Sequence, residues 1–105
     1  MNWNNPQTED LLSTILKLDS LNEAKRFLRD LLTEEELIEF GKRWQTAKLL
    51  NEKVSYSNIE KKTGLSSTTI ARVAKWLKSG KGGYKLMIEK ISSHHNNSSS
   101  EIGLF

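Results

Sequence analysis

SYSNIEKKTGLSSTTIARVAKWLK, residues 55–78, is the stretch that decides the fold of this 105-residue chain. A serine precedes a predicted helix of two turns over residues 56–63 and can cap its first N–H groups. Gly64 stands where a left-handed residue would end that helix. Ser66 or Ser67 can then cap a second helix of about three turns. The stretch therefore predicts two short helices joined by a tight turn.

The apolar residues of this stretch have the spacing of a helix-turn-helix motif. Two short helices can cross steeply over one small core formed by Ile59, Leu65, Ile70 and Val73. Such packing would let the start of the second helix enter a DNA major groove. Hydroxyl groups can contact several bases there, and an arginine can pair with guanine. The candidate base-contacting residues are Ser66, Ser67, Thr68, Thr69 and Arg72.

The charge of the chain changes sign along its length. Residues 1–40 carry a net charge of −5, whereas residues 41–90 carry +9. Much of the acidity follows from helix capping, since residues 34–36 are three glutamates in a predicted first turn. A basic region around a helix-turn-helix predicts double-stranded DNA as the partner. The candidate phosphate-contacting residues are Lys53, Lys61, Lys62, Lys75, Lys78 and Lys81. Two ordinary helices with a solvated lysine face are the alternative interpretation.

Capping signals divide the rest of the chain into further helices. A helix over residues 8–18 has Thr8 as a possible N-cap. The pairs Ser20 with Glu23 and Thr33 with Glu36 have the spacing of capping boxes. The second pair predicts a long helix over residues 34–50, and a last amphipathic helix follows over residues 84–91. We expect an N-terminal helix or arm (1–19), a helix-turn-helix domain (20–91) and a disordered polar tail (92–105).

Several classes of protein are excluded by composition. The chain has no cysteine, and so it has no disulfide, thiolate metal site or thiol nucleophile. No apolar run approaches the ~20 residues that span a bilayer, and no signal-peptide core follows Met1. His94 and His95 adjoin each other without a third ligand, so no metal site is predicted. We expect a cytoplasmic protein that is not an enzyme.

Three segments resemble the tryptophan repressor superfamily, especially its YerC/YecD-type branch of small regulators. They are LLTEEELIEFGKRW (31–44), IARV (70–73) and GKGGYKLMIEKI (80–91), and the resemblance covers about residues 20–91. It implies an all-α subunit of six short helices that dimerises by intertwining its N-terminal helices. Each subunit would then complete the core of the other. Such a dimer would present two recognition helices about 34 Å apart to a pseudo-palindromic operator.

The resemblance also implies where a tryptophan corepressor would bind. The matching residues are Thr33, Arg43 and Arg72, but Val73 stands where the family pattern has a small glycine, and Trp76 where it has a serine. Added side-chain volume in a tight site normally excludes a ligand. We therefore expect the Trp76 indole, or its packing with Val73, to occupy the corepressor space. The sequence predicts no cofactor, and it identifies no other small-molecule effector.

These observations predict a dimeric, sequence-specific DNA-binding transcriptional regulator, with repression implied by the resemblance. The alternative is a protein-interaction or architectural module that uses the same fold without operator specificity. Sequence preference at constant salt concentration distinguishes the two, because non-specific DNA binding is mainly electrostatic.

Overall fold

Six helices make up the secondary structure of this computed structural model, which describes the backbone of residues 1–103 and the side chains of residues 1–93. The predicted all-α fold is confirmed, and no strand occurs among the described residues. His94 and His95 lie outside the described side chains. The helices are α1 (Pro6–Ile15), α2 (Leu21–Leu31), α3 (Glu34–Asn51), α4 (Tyr56–Thr63), α5 (Ser67–Ser79) and α6 (Gly83–Gly103).

The first helix begins two residues before the predicted start. The Asn5 side chain, not Thr8, is its N-cap, and it accepts hydrogen bonds from the N–H groups of Gln7 and Thr8. Pro6 occupies the first helical position, where its fixed φ suits a helix and its missing N–H costs nothing. The prediction of Thr8 as N-cap was therefore wrong, because an earlier Asn-Pro pair provides a better start.

The two predicted capping pairs both form. Ser20 Oγ accepts the N–H of Glu23 at 3.1 Å, while the Glu23 carboxylate accepts the N–H of Asp19 at 3.0 Å. At α3 the exchange is fully reciprocal, with Thr33 and Glu36 joined by bonds of 2.9 and 3.1 Å. The bonds from Thr33 lower the pKa of the Glu36 carboxyl below its ordinary value. These caps fix the starts of α2 and α3.

The chain divides into two compact units, Met1–Leu37 and Ile38–Phe105. The domain boundaries expected from the sequence, at 19/20 and 91/92, remain predictions. In the first unit, α1 and α2 contain no buried residue. Leu16 is 85% exposed and Leu21 is 72% exposed. An open apolar hollow of about 390 Å³ lies in this unit, with Leu21, Ala24, Leu28 and Leu37 in its lining.

The second unit contains the buried core. Ile59, Ile70 and Val73 are fully buried, and Leu65 is nearly so, which confirms all four predicted core residues. α5 packs against both α4 and α6. The partly buried residues that pack against the cluster of Ile59, Leu65 and Ile70 are Leu49, Leu50 and Val54. The helix-turn-helix is therefore anchored to the end of α3.

A lysine in a left-handed conformation ends the turn that follows α3. Lys53 has φ of 67°, and its N–H donates to the carbonyl of Leu50 at 3.0 Å. The N–H of Val54 donates to the carbonyl of Leu49 at 3.1 Å. This pair of bonds is a Schellman motif, in which glycine is the usual left-handed residue. The motif brings Val54 onto the core and directs the chain into α4.

The last helix is longer than predicted. It begins at Gly83 and passes position 92, where the sequence favoured the start of a disordered tail. The side chains of residues 94–105 lie outside the described part, so the tail remains a prediction there.

Candidate nucleic-acid interface

The turn between α4 and α5 is held by a glycine and a buried threonine. Gly64 has φ of 76°, the left-handed conformation expected from the sequence, and its N–H donates to the carbonyl of Glu60. The Thr63 hydroxyl donates to the carbonyl of Ile59 at 2.8 Å and accepts the N–H of Leu65 at 3.2 Å. Thr63 was not among the residues predicted from the sequence, where its only signal is a hydroxyl directly before the glycine. Its two bonds fix the path of the turn.

Ser66, rather than Ser67, caps the recognition helix α5. Its Oγ accepts the N–H of Thr69 at 3.2 Å and lies 3.1 Å from Thr69 Oγ1. Thr69 is half-buried, so two of the five candidate base-contacting residues already serve the cap. Ser67, Thr68 and Arg72 are exposed. Thr68 and Arg72 are four residues apart and therefore neighbours on the helix surface.

The six candidate phosphate-contacting lysines are all exposed. Lys61 and Lys62 lie in the last turn of α4, where the helix dipole favours positive charge. Lys75 lies three residues after Arg72 and so belongs to the same exposed side of α5. Among the described residues, the one ion pair joins Arg43 to Glu39, and no lysine takes part in it. The lysines thus present their charge to solvent around the helix-turn-helix.

The residues expected at a corepressor pocket have other contacts. Thr33 caps α3 in the first unit. Arg43 is bonded to the Glu39 carboxylate at 3.3 Å, and its guanidinium lies 6.0 Å from the centre of the Phe40 ring. Val73 is fully buried in the core, whereas Arg72 is exposed.

Trp76 lines an open cavity in the second unit. This cavity has a volume of about 640 Å³, and Trp44, Tyr84 and Met87 also line it. The Trp44 and Tyr84 rings stack with their centres 6.3 Å apart and their planes at 23°. Trp76 remains 43% exposed. Its indole therefore faces an aromatic cavity formed with α3 and α6, and its occupation of a corepressor space stays a prediction.

Within the described part of the chain, neither a cluster of metal ligands nor a membrane-spanning helix is found. No group of three His, Asp or Glu side chains within the described part is placed to hold a metal ion. None of the described helices is long and apolar enough to cross a membrane.

Comparison with known proteins identifies the family. The family model described as Trp repressor protein matches residues 6–92, which include the first five helices and the start of α6. The chain belongs to the Trp repressor family. The resemblance noted from the sequence is thus confirmed, and the part of the chain outside the match is short.

Individual members of the Trp repressor family agree with this assignment. The chain is 34% identical to the YerC protein of Bacillus subtilis strain 168 over 95 residues, 90% of this chain and 91% of that protein. A TrpR-like protein from Eubacterium eligens superposes with a TM-score of 0.83 at 36% identity, covering 86% of this chain and 93% of that one. A candidate Trp repressor from Staphylococcus aureus gives 0.82 at 28% identity, covering 88% and 95%.

Membership of the Trp repressor family supports a function in DNA-binding regulation. The family is one of DNA-binding regulators, and the chain has the helix-turn-helix that such a regulator uses. The similarity to YerC supports the branch expected from the sequence.

Proposed function

We propose that this Trp repressor family member is a sequence-specific DNA-binding transcriptional regulator that acts as a repressor. The observation that carries the proposal is the exposed Thr68 and Arg72 face of α5, next to a cap and a turn that fix its direction. Because Ser66 and Thr69 are engaged in the cap, Ser67, Thr68 and Arg72 are the best candidates for direct contact with bases.

Electrostatics support DNA as the partner. Residues 41–90 carry a net charge of +9, and their exposed lysines surround the recognition helix. Lysine contacts to phosphates position a protein on the duplex and make its affinity depend steeply on salt. Lys61 and Lys62 at the end of α4 and Lys75 on α5 itself are exposed and could reach phosphates next to the inserted helix.

We propose that the active form is a homodimer with intertwined N-terminal helices. Two amphipathic helices that bury no residue have little of the packing that normally stabilises a helix in water. A second copy is the fitting occupant because the charges are complementary, with −5 on residues 1–40 and +9 on residues 41–90. Leu16 and Leu21, largely exposed in one subunit, would be buried in the dimer.

Sedimentation of two neighbouring variants tests the dimer. Leu21→Ser removes an exposed apolar side chain from the lining of the hollow, whereas Asn22→Ser changes the next residue, which is exposed and polar. We expect Leu21→Ser to weaken dimerisation by about tenfold or more, the effect of one buried leucine. Asn22→Ser should dimerise like the natural chain. A monomeric natural chain, or equal behaviour of both variants, contradicts the proposal.

We propose further that DNA binding is independent of tryptophan. Arg43 is already paired with Glu39, and Val73 has no exposed surface to offer a ligand. Calorimetry with L-tryptophan should give no binding in the micromolar range, and DNA affinity should not change when the amino acid is added. Micromolar binding that Arg43→Ala abolishes would overturn this part of the proposal.

Selection of binding sites from random DNA tests the function itself. The selected sequences should be pseudo-palindromic and bound about 10³-fold more tightly than random DNA at the same salt concentration. Steep salt dependence without sequence preference would indicate an architectural module instead. No DNA binding at all would indicate a module that binds protein.

A further inference from the structure

We propose that a cleft bounded by Lys53, Lys78 and Lys85 is a binding site for a phosphate group. The three lysines come from three places in the second unit: the loop after α3, the last turn of α5 and the first turn of α6. They line one cleft of about 370 Å³.

All the charged side chains that line this cleft are positive. Its lining contains three lysines and the amide side chain of Asn51, but no carboxylate. None of the three lysines takes part in an ion pair within the described part of the chain. Like charges that share a cleft repel one another unless an anion lies between them. A bound anion would therefore be stabilised by all three ammonium groups together.

Two of the three lysines stand where the fold disfavours them. Lys53 adopts a left-handed backbone conformation, with φ of 67°, that costs a non-glycine residue about 1 kcal/mol or more. Lys85 lies in the first turn of α6, next to the positive end of the helix dipole. A strained backbone like that of Lys53 is found at binding sites, and a bound anion would offset the repulsion between Lys85 and the helix dipole. The two positions point to the same cleft.

The floor of the cleft indicates what else the ligand carries. Leu50, Ala74 and Leu77 provide an apolar surface below the lysines. A volume of about 370 Å³ falls within the usual range for small-molecule sites, which is roughly 300–1,000 Å³. A phosphate monoester offers a dianionic charge and three acceptor oxygens, which suit three ammonium donors better than a carboxylate does. The site thus fits a phosphate ester, either an aryl phosphate whose ring lies on this apolar surface or a phosphodiester of the DNA backbone, which has a single negative charge.

The carboxylate of Glu89 lies beside the cleft and provides a second test. Glu89 lines a neighbouring hollow together with Asn51 and Lys85, and it is four residues after Lys85 on α6. Its negative charge competes with an anion for Lys85 and repels that anion. Removing the charge of Glu89 should strengthen phosphate binding, while removing the charge of Lys85 should weaken it.

NMR titration of the full chain with phenyl phosphate, without DNA, tests the site directly. We expect saturable shifts at the amides of Lys53, Ala74, Lys78 and Lys85, with a dissociation constant of about 1 mM or tighter. Benzoate, which has the same ring and one negative charge, should bind more weakly. The absence of saturable shifts at these residues, or equal binding of benzoate, overturns the proposal.

Matched charge variants distinguish the cleft from the general basic surface. Lys85→Gln should weaken phenyl phosphate binding about tenfold, as expected for one charge-assisted hydrogen bond. Glu89→Gln should strengthen it about twofold. Lys90→Gln removes the same charge from an exposed position of α6 outside the cleft lining, and it should have no effect. If Lys90→Gln and Lys85→Gln weaken binding equally, the attraction is non-specific and the proposal is wrong.

DNA binding by the same variants identifies the source of the phosphate. If the group belongs to the DNA backbone, which rests on the proposed function, Lys85→Gln lowers the salt slope of DNA binding by about one. Phenyl phosphate then competes with DNA. If the group belongs to a free organic phosphate, Lys85→Gln leaves DNA affinity unchanged and still loses phenyl phosphate. A chain that binds no DNA would contradict the proposed function, and the phenyl phosphate titration would still decide this site.

Discussion

Ser66 and Thr69 are joined at two points: the Ser66 Oγ accepts the Thr69 N–H at 3.2 Å, and the two hydroxyl oxygens lie 3.1 Å apart. The start of the recognition helix is thereby closed by its own side chains. A recognition helix that begins at a fixed residue holds Thr68 and Arg72 in a fixed direction, as base contacts require.

Ser66→Ala should destabilise the fold, because it leaves the N–H of Thr69 without its side-chain partner. We expect a loss of about 1 kcal/mol in the free energy of unfolding, measured by urea denaturation at constant protein concentration. Ser67→Ala changes an exposed hydroxyl one residue later and should be nearly neutral. Equal losses in the two variants would contradict the assignment of Ser66 as the cap.

Arg72→Ala and Thr68→Ala should reduce affinity for the selected DNA site more than affinity for random DNA. A base contact of this kind contributes about 1–3 kcal/mol of discrimination. Lys61→Ala should weaken binding to both DNAs alike, because phosphate contacts carry no sequence information. Competition binding at one salt concentration measures all three variants. Equal losses on both DNAs for every variant would argue against direct base contact.

Gly80→Ala should be strongly destabilising, because an added Cβ would lie 2.5 Å from the carbonyl oxygen of Trp76. We expect a loss of about 1–3 kcal/mol, as for other overpacked sites. Gly83 has nothing within 4 Å of the same added atom and no positive φ. Gly83→Ala is the matched control and should leave the melting temperature unchanged or slightly raised. A tolerated Gly80→Ala would contradict the close approach at the end of α5.

The sequence predicts the helix-turn-helix closely because its signals are local. The hydroxyl of Ser55 and the left-handed Gly64 limit α4 to the residues expected, and the apolar spacing of Ile59 and Ile70 identifies the buried faces. The predicted start of α1 was wrong because Asn5 and Thr8 are both good N-cap residues. Only Pro6, which suits the first position of a helix, favours Asn5 as the cap.

Features that combine distant residues could not be predicted in the same way. Lys53, Lys78 and Lys85 share a cleft only because the loop after α3 meets α5 and α6 in the folded chain. The left-handed conformation of Lys53 also has no sequence signal, since glycine is the residue that normally marks it. The stacking of Trp44 on Tyr84 at an open cavity likewise joins α3 and α6, which are far apart in the sequence.

Acid should weaken the cap of α3 through Glu36. Hydrogen bonds from Thr33 lower the pKa of this carboxyl below 4.5 in the folded chain. A lowered folded pKa means that the stabilisation is complete above the unfolded pKa and is lost as the pH falls through the folded one. Glu36→Gln should therefore reduce stability near neutral pH and make the acid limb of the stability curve shallower. An unchanged acid limb would contradict the bond to Thr33.

The left-handed Lys53 should respond differently to selection for stability and to selection for phosphate binding. A library screened for resistance to heat should enrich glycine at this position, because glycine adopts the conformation without strain. A library screened for retention of an immobilised aryl phosphate should keep the lysine. The two screens would then enrich different residues at position 53, glycine for heat resistance and lysine for phosphate binding. That difference would reveal whether evolution has kept a strained backbone conformation for the sake of the lysine side chain.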